Sequence, residues 1–133
     1  MKLNVVQQKS FDFALVIIHL YKALQDKREF VISRQLLRSG TSIGANVEEG
    51  NAGQSRKDFR AKMSVASKEA RETRYWLQLL QKSKLVDVDV ANELTLVEEL
   101  IRILTSICKD NGRNTMTASF SIQHSSFKIQ NLP

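Results

Sequence analysis

Glu48 and Glu49 are adjacent carboxylates, the residue type that general acid and base catalysis uses. They fall at the end of a helical stretch, where solvation or pairing with Arg34 or Arg38 is the expected role. His19 lies in an apolar helix and His124 in a polar tail, with no second histidine or cysteine at ligand spacing, so no zinc site is expected. Cys108 is the single cysteine and cannot form an intrachain disulfide; its neighbours Ile103, Leu104 and Ile107 predict a small buried hydrophobe. The run Gly50, Asn51, Ala52, Gly53, Gln54, Ser55 lacks the lysine of a phosphate-cradling loop, although amides opening the next helix are able to hold an anion. The expectation is a protein that is not an enzyme and uses no cofactor or metal.

The chemistry that does accumulate is cationic. Residues 55–84 carry nine lysines or arginines against Asp58, Glu69 and Glu72, a balance of +6, whereas residues 85–110 carry a balance of −4. Two readings follow. Arg56, Lys57, Arg60, Arg71 and Arg74 form a stripe that meets phosphates, binding RNA or DNA without regard to sequence. Alternatively the stripe meets the acidic fourth helix, in the same or another subunit, and is neutralised there. Tyr75 and Trp76 beside it are placed either to stack on bases or to pack at an interface.

The element that must position these groups is residues 55–84, in which Phe59, Met63, Ala66, Ala70, Thr73, Leu77 and Leu80 recur at alternating steps of four and three. That is a helical seam about 45 Å long. Ser55 caps its start, with Asp58 three residues on. A helix this long cannot bury its seam alone, so the remaining segments are expected to cover it. The first helix is expected over residues 11–26, capped by Ser10, with residues 1–9 an arm or fraying lead-in. It has one apolar row at Phe11, Ala14, Leu15 and Ile18 and another at Phe13, Val16, Ile17, Leu20 and Leu24. The second runs from residue 29 or 33 to 49 and contains Gly40 and Gly44 four apart: either another backbone comes close there, or the helix breaks. Gly50 is expected in the left-handed conformation that ends it. The fourth begins near Asp87 or Asp89 and runs to about residue 109, where Asn111 and Gly112 stop it.

One domain, residues 1–110, is therefore expected, all-α, an antiparallel up-down-up-down four-helix bundle. A polar C-terminal tail, residues 111–133, follows. Within it Met116, Ala118, Phe120 and Ile122 alternate with polar residues, so the tail is either flexible or docked on a neighbouring subunit. Proline occurs only at position 133, which favours helices over sheet. No uncharged apolar run of about 18 residues exists, so no membrane partner is expected, and the lone cysteine fits a reducing cytoplasm.

The runs SRQLLRSGTSIGANVEEG (33–50) and SRKDFRAKMSVASKEARETRYWLQLL (55–80) resemble the four-helix-bundle family encoded by intervening sequences of bacterial 23S ribosomal RNA genes. The resemblance covers roughly residues 11–108. It implies a ring-like homopentamer, non-enzymatic, related to the accessory protein of diversity-generating retroelements, which works with a reverse transcriptase and nucleic acid. A nucleic-acid-handling protein is thus an implied partner besides RNA, DNA and self. The matching positions include Gln35, Arg38, Ser42, Asn46, Glu49 and Gly50, then Phe59, Ala66, Glu69, Glu72 and Tyr75; members often have proline at the position of Gly44. Arg38, Asn46 and Glu49 lie on or near one helical face and, with Glu72, are candidates for a polar network inside the bundle or between subunits.

Overall fold

A computed structural model describes residues 2–110, with side chains from Val5 onward. Four helices account for nearly all of it: α1 (Lys2–Asp26), α2 (Ile32–Asn51), α3 (Arg56–Ser83) and α4 (Ala91–Asp110). Each packs on its sequence neighbours and α4 closes back on α1, while the diagonal pairs α1/α3 and α2/α4 do not meet. The chain is an all-α, up-down-up-down bundle. The α2/α3 seam is the most extensive and the α1/α4 seam the thinnest. Tail positions 111–133, with their two-residue alternation, His124 and the Asn111–Gly112 stop, lie outside the described residues.

Along α3, Met63, Ala66, Ala70, Thr73, Leu77 and Leu80 are buried, and Phe59 is half-buried at the entry. Ser55, in extended conformation, accepts the Asp58 N–H at 3.1 Å, which satisfies one of the free amides of the first turn. Lys84 ends the helix in the left-handed conformation, φ 55°.

The start of α1 differs from expectation. The helix begins at Lys2, and Ser10 is a buried interior residue whose hydroxyl donates to the Gln7 carbonyl at 3.2 Å. Val6 explains the extension: it is fully buried and continues the row Ser10, Phe13, Ile17, Leu20 and Leu24, with Val5 half-buried against the core beside it, so tertiary burial holds the lead-in in helix. Of the two apolar rows, this one faces the core. Phe11, Leu15 and Ile18 point outward, 61%, 45% and 38% exposed.

The turn between α1 and α2 uses Arg28 in the left-handed region, φ 64°, and Glu29. Glu29 is buried, and its carboxylate accepts the N–H groups of Val31, Ile32 and Ser33 at 3.0, 2.9 and 2.7 Å. The Ser33 hydroxyl returns a bond to the Glu29 carbonyl at 2.8 Å. A negative side chain thus closes the N-terminus of α2, where the helix dipole favours it.

Helix α2 passes through its glycines without a break. Ser39, Thr41 and Ser42 each donate to the carbonyl four residues back, at 2.9, 2.7 and 2.6 Å. Gly40 and Gly44 are where α1 comes close: a Cβ at Gly40 would lie 2.8 Å from Ile17 Cγ1, and one at Gly44 3.3 Å from the Ser10 carbonyl oxygen. Gly50 corrects the expected left-handed stop. No glycine among the described residues has positive φ, and Gly50 lies inside the helix. What it supplies is room, since a Cβ there would be 2.8 Å from Met63 Cε.

Helix α4 opens beside Asp89, whose carboxylate accepts the Ala91 N–H and the Gln81 side-chain amide, both at 3.0 Å. These bonds, the backbone one first, hold the Asp89 carboxyl below its ordinary pKa. The folded state therefore favours the ionised form. Asp89 should contribute stability above the ordinary aspartate pKa and lose it as pH falls through the lowered value. Urea titrations of the protein and Asp89→Asn should accordingly differ at neutral pH and converge in acid.

Candidate nucleic-acid interface

The two long edges of α3 carry different charge. On the α2 side, Arg38 reaches Glu69 Oε1 from Nη1 at 3.4 Å and pairs through Nη2 with Glu72. Glu72 also accepts the Trp76 indole N–H at 3.0 Å, and the Tyr75 ring stands edge-on to Trp76 with centroids 5.2 Å apart. Nearly two turns into α3, Lys62 pairs with Glu49 at 2.7 Å. Both α3 carboxylates beyond the first turn are thus engaged toward α2. Beneath them the Ser39 and Thr73 hydroxyls, 2.8 Å apart, join the two helices in the core.

On the α4 side, Arg71 Nη2 donates to Thr105 Oγ1 at 3.0 Å. Around that bond is a shallow, open hollow lined by Ser64, Ser67, Lys68, Arg71, Thr105, Cys108 and Lys109. Burial pushes the Cys108 thiol above its ordinary pKa, with the Arg71 charge acting in the opposite direction. The thiol consequently stays protonated near neutral pH and puts no negative charge into the hollow. Toward the start of α3, Arg56, Lys57 and Arg60 are exposed; Arg74, one turn beyond Arg71, is half-buried. Lys57, Arg60, Ser64, Ser67, Arg71 and Arg74 follow one another at steps of three and four, a continuous stripe along the helix.

The four residues expected to share a polar network do not all meet. Arg38 and Glu72 do; Asn46 bonds back to its own helix, donating to the Ser42 carbonyl at 2.8 Å, and Glu49 is held by Lys62. Eleven residues separate Arg38 from Glu49, about 16 Å along α2, so each meets the α3 residue at its own level. The expected pairing of Glu48 or Glu49 with Arg34 or Arg38 is likewise replaced. Glu48 accepts from Gln7 Nε2 at 3.3 Å toward α1, while Glu49 turns to α3, so the two carboxylates diverge.

A second hollow lies in the thin α1/α4 seam, lined by Lys9, Asp12, Phe13, Val16, Leu96, Glu99 and Leu100. Glu99 is buried there with Lys9 Nζ 3.2 Å from Oε2, close enough to offset its charge but not aligned for a hydrogen bond. His19 is exposed on α1, and no three His, Cys, Asp or Glu side chains among the described residues are grouped as metal ligands. No described helix is long and apolar enough to cross a membrane.

The residues of the α3/α4 hollow that the sequence reading missed are Ser64, Ser67, Lys68, Thr105 and Lys109. Lys68 stood three residues before Arg71 and was findable. Lys109 was hidden by summing charge over the whole of the acidic fourth helix.

Comparison with known proteins agrees with this architecture. Residues 2–106 match the family model described as 23S rRNA-intervening sequence protein. No curated relative matches the chain. A crystal structure of a protein of unknown function from the S23 ribosomal protein family of Bacteroides thetaiotaomicron is 47% identical, with a TM-score of 0.77, and the match covers 82% of this chain and 99% of that one. The motifs at 33–50 and 55–80, the four-helix architecture and these matches agree, and the chain belongs to the 23S rRNA-intervening sequence protein family.

Proposed function

We propose that this protein is a non-enzymatic homo-oligomer that binds nucleic acid, RNA or DNA, or a protein that handles nucleic acid, through the basic edge of α3. The observation that carries this reading is the segregation of charge on that helix. Glu69 and Glu72 are drawn to Arg38 on one side, and Lys68, Arg71 and their neighbours border α4 on the other. A row of cations at helical spacing suits a polyanion, because each phosphate neutralised releases counterions. Contacts of this kind position a backbone and do not read bases.

Self-association is supported by a separate feature. Phe11, Leu15 and Ile18 form an exposed apolar row on α1, and Val65, Tyr75 and Leu79 are exposed on α3. Since α1 and α3 occupy opposite corners of the bundle, a contact between these two faces would be head-to-tail, the type that closes into rings. The ring-like pentamer implied by the family is of that type. The alternative reading is a structural or protein-interaction module whose α3 charges lie in the subunit contacts themselves.

Reversing Arg56, Lys57 and Arg60 together to glutamate separates the two. Under the first reading the protein is retained on immobilised RNA or DNA at low salt, and the reversal abolishes retention while helicity and oligomer mass stay unchanged. With the milder change of the same three residues to alanine, the slope of log affinity against log salt should fall by roughly two to three as three phosphate contacts are lost. A smaller mass in light scattering would instead place these charges in subunit contacts. Failure of the unaltered protein to bind at low salt would overturn the first reading.

A further inference from the structure

We propose that the hollow between α3 and α4 seats one backbone phosphate of the bound nucleic acid, with Lys68, Arg71 and Lys109 supplying the charge and Ser64, Ser67 and Thr105 the hydroxyl donors. This rests on the nucleic-acid reading above and adds to it a location and a ligand chemistry. Three cations and three hydroxyls from two helices line one concavity, and no carboxylate does. The adjoining acid, Asp110, is buried and accepts from the Ser106 hydroxyl at 3.4 Å. Phosphate oxygens accept several hydrogen bonds at once, and charge-assisted bonds to guanidinium and ammonium are the strong ones.

Arg71 is the centre of the seat. Its bond to Thr105 fixes the guanidinium with one donor and leaves the other N–H groups of the fork for a ligand. Holding the side chain beforehand reduces the ordering cost that a free surface arginine carries on binding. The hollow is open, which suits one unit of a polymer passing through it. Eleven residues of α3 separate Arg71 from Arg60, about 16 Å at the usual helical rise. That is about the span of five phosphates on one strand of a duplex. The hollow and the Arg56, Lys57, Arg60 group are thus two stations on one strand.

Cys108, the single cysteine, lies in the hollow wall and reports occupancy directly. The full chain is alkylated with a maleimide at fixed ionic strength, with and without a 12-base-pair RNA duplex, alongside binding of the same RNA measured by fluorescence anisotropy. The RNA should slow alkylation at least fivefold. In the Arg71→Ala/Lys109→Ala variant, affinity should fall at least tenfold and protection should vanish, with Arg71→Lys intermediate. If the RNA binds the protein and this variant alike and Cys108 reacts at its free rate, the seat is refuted while the basic edge stands. If pyrophosphate protects Cys108 and the RNA does not, the hollow takes a small anion and the polymer assignment is overturned. If neither this RNA nor a DNA of the same length binds at low salt, the reading of the edge and the seat both fail.

Discussion

Replacing Glu29 with alanine should destabilise the bundle by about 2–3 kcal/mol, near the upper range for a buried charged acceptor that serves several donors. Three amides, of Val31, Ile32 and Ser33, lose their acceptor together, the Ser33 amide in a fully buried position and the other two partly buried. Glu29→Gln retains a carbonyl oxygen but brings an amide nitrogen that cannot accept. Its loss should fall between the two, and the order Glu, Gln, Ala in urea midpoints checks the mechanism. Equal losses for Gln and Ala would point to charge alone, acting on the dipole of α2. A thermal shift of about 10 °C is expected for Glu29→Ala in a bundle of this size.

Gly40→Val should be at least as damaging, about 3 kcal/mol. Glycine in a helix interior costs about 1 kcal/mol relative to alanine, so propensity alone predicts that a side chain here is neutral or helpful. Sterics decide otherwise. The first added carbon already lies 2.8 and 2.9 Å from two carbons of Ile17, which is fully buried and cannot swing aside. Gly40→Ala should lose less, with the relief of backbone entropy offsetting part of the overlap. Shortening the neighbour, in Gly40→Ala/Ile17→Ala, should give a loss smaller than the sum of the single losses, and strict additivity would show that the contact is not the cause.

Which features were readable from the sequence follows from the distance over which each is encoded. The α3 seam and its Ser55 cap are written within a few residues and appear where periodicity places them. So is the close approach at Gly40 and Gly44, because two glycines four apart have few other uses in an unbroken helix. Gly50 misled, since a glycine near a helix end signals a left-handed stop just as readily as a need for space, and Met63 lies on another helix. In α1 the sequence offers more apolar residues than one face can bury, and only the packing separates the buried row from Phe11, Leu15 and Ile18. Leu3, Val5 and Val6 stand in a short segment otherwise made of polar residues, too few to show a helical period, so nothing local extended the helix back through them. The hollow could not be read at all as a unit, because it joins side chains about 40 positions apart across two helices of opposite charge.

The uneven seams of the bundle set how it loosens. Each helix is held chiefly by the one before or after it, while α1 and α4 touch along the thinnest join, which contains a hollow and a misaligned Lys9–Glu99 pair. Partial opening begins most cheaply at that join, with the first and last helices parting like the two leaves of a clasp while α2 and α3 stay locked together. Such a bundle breathes from its outer pair of helices inward, and its central hairpin is the last part to let go.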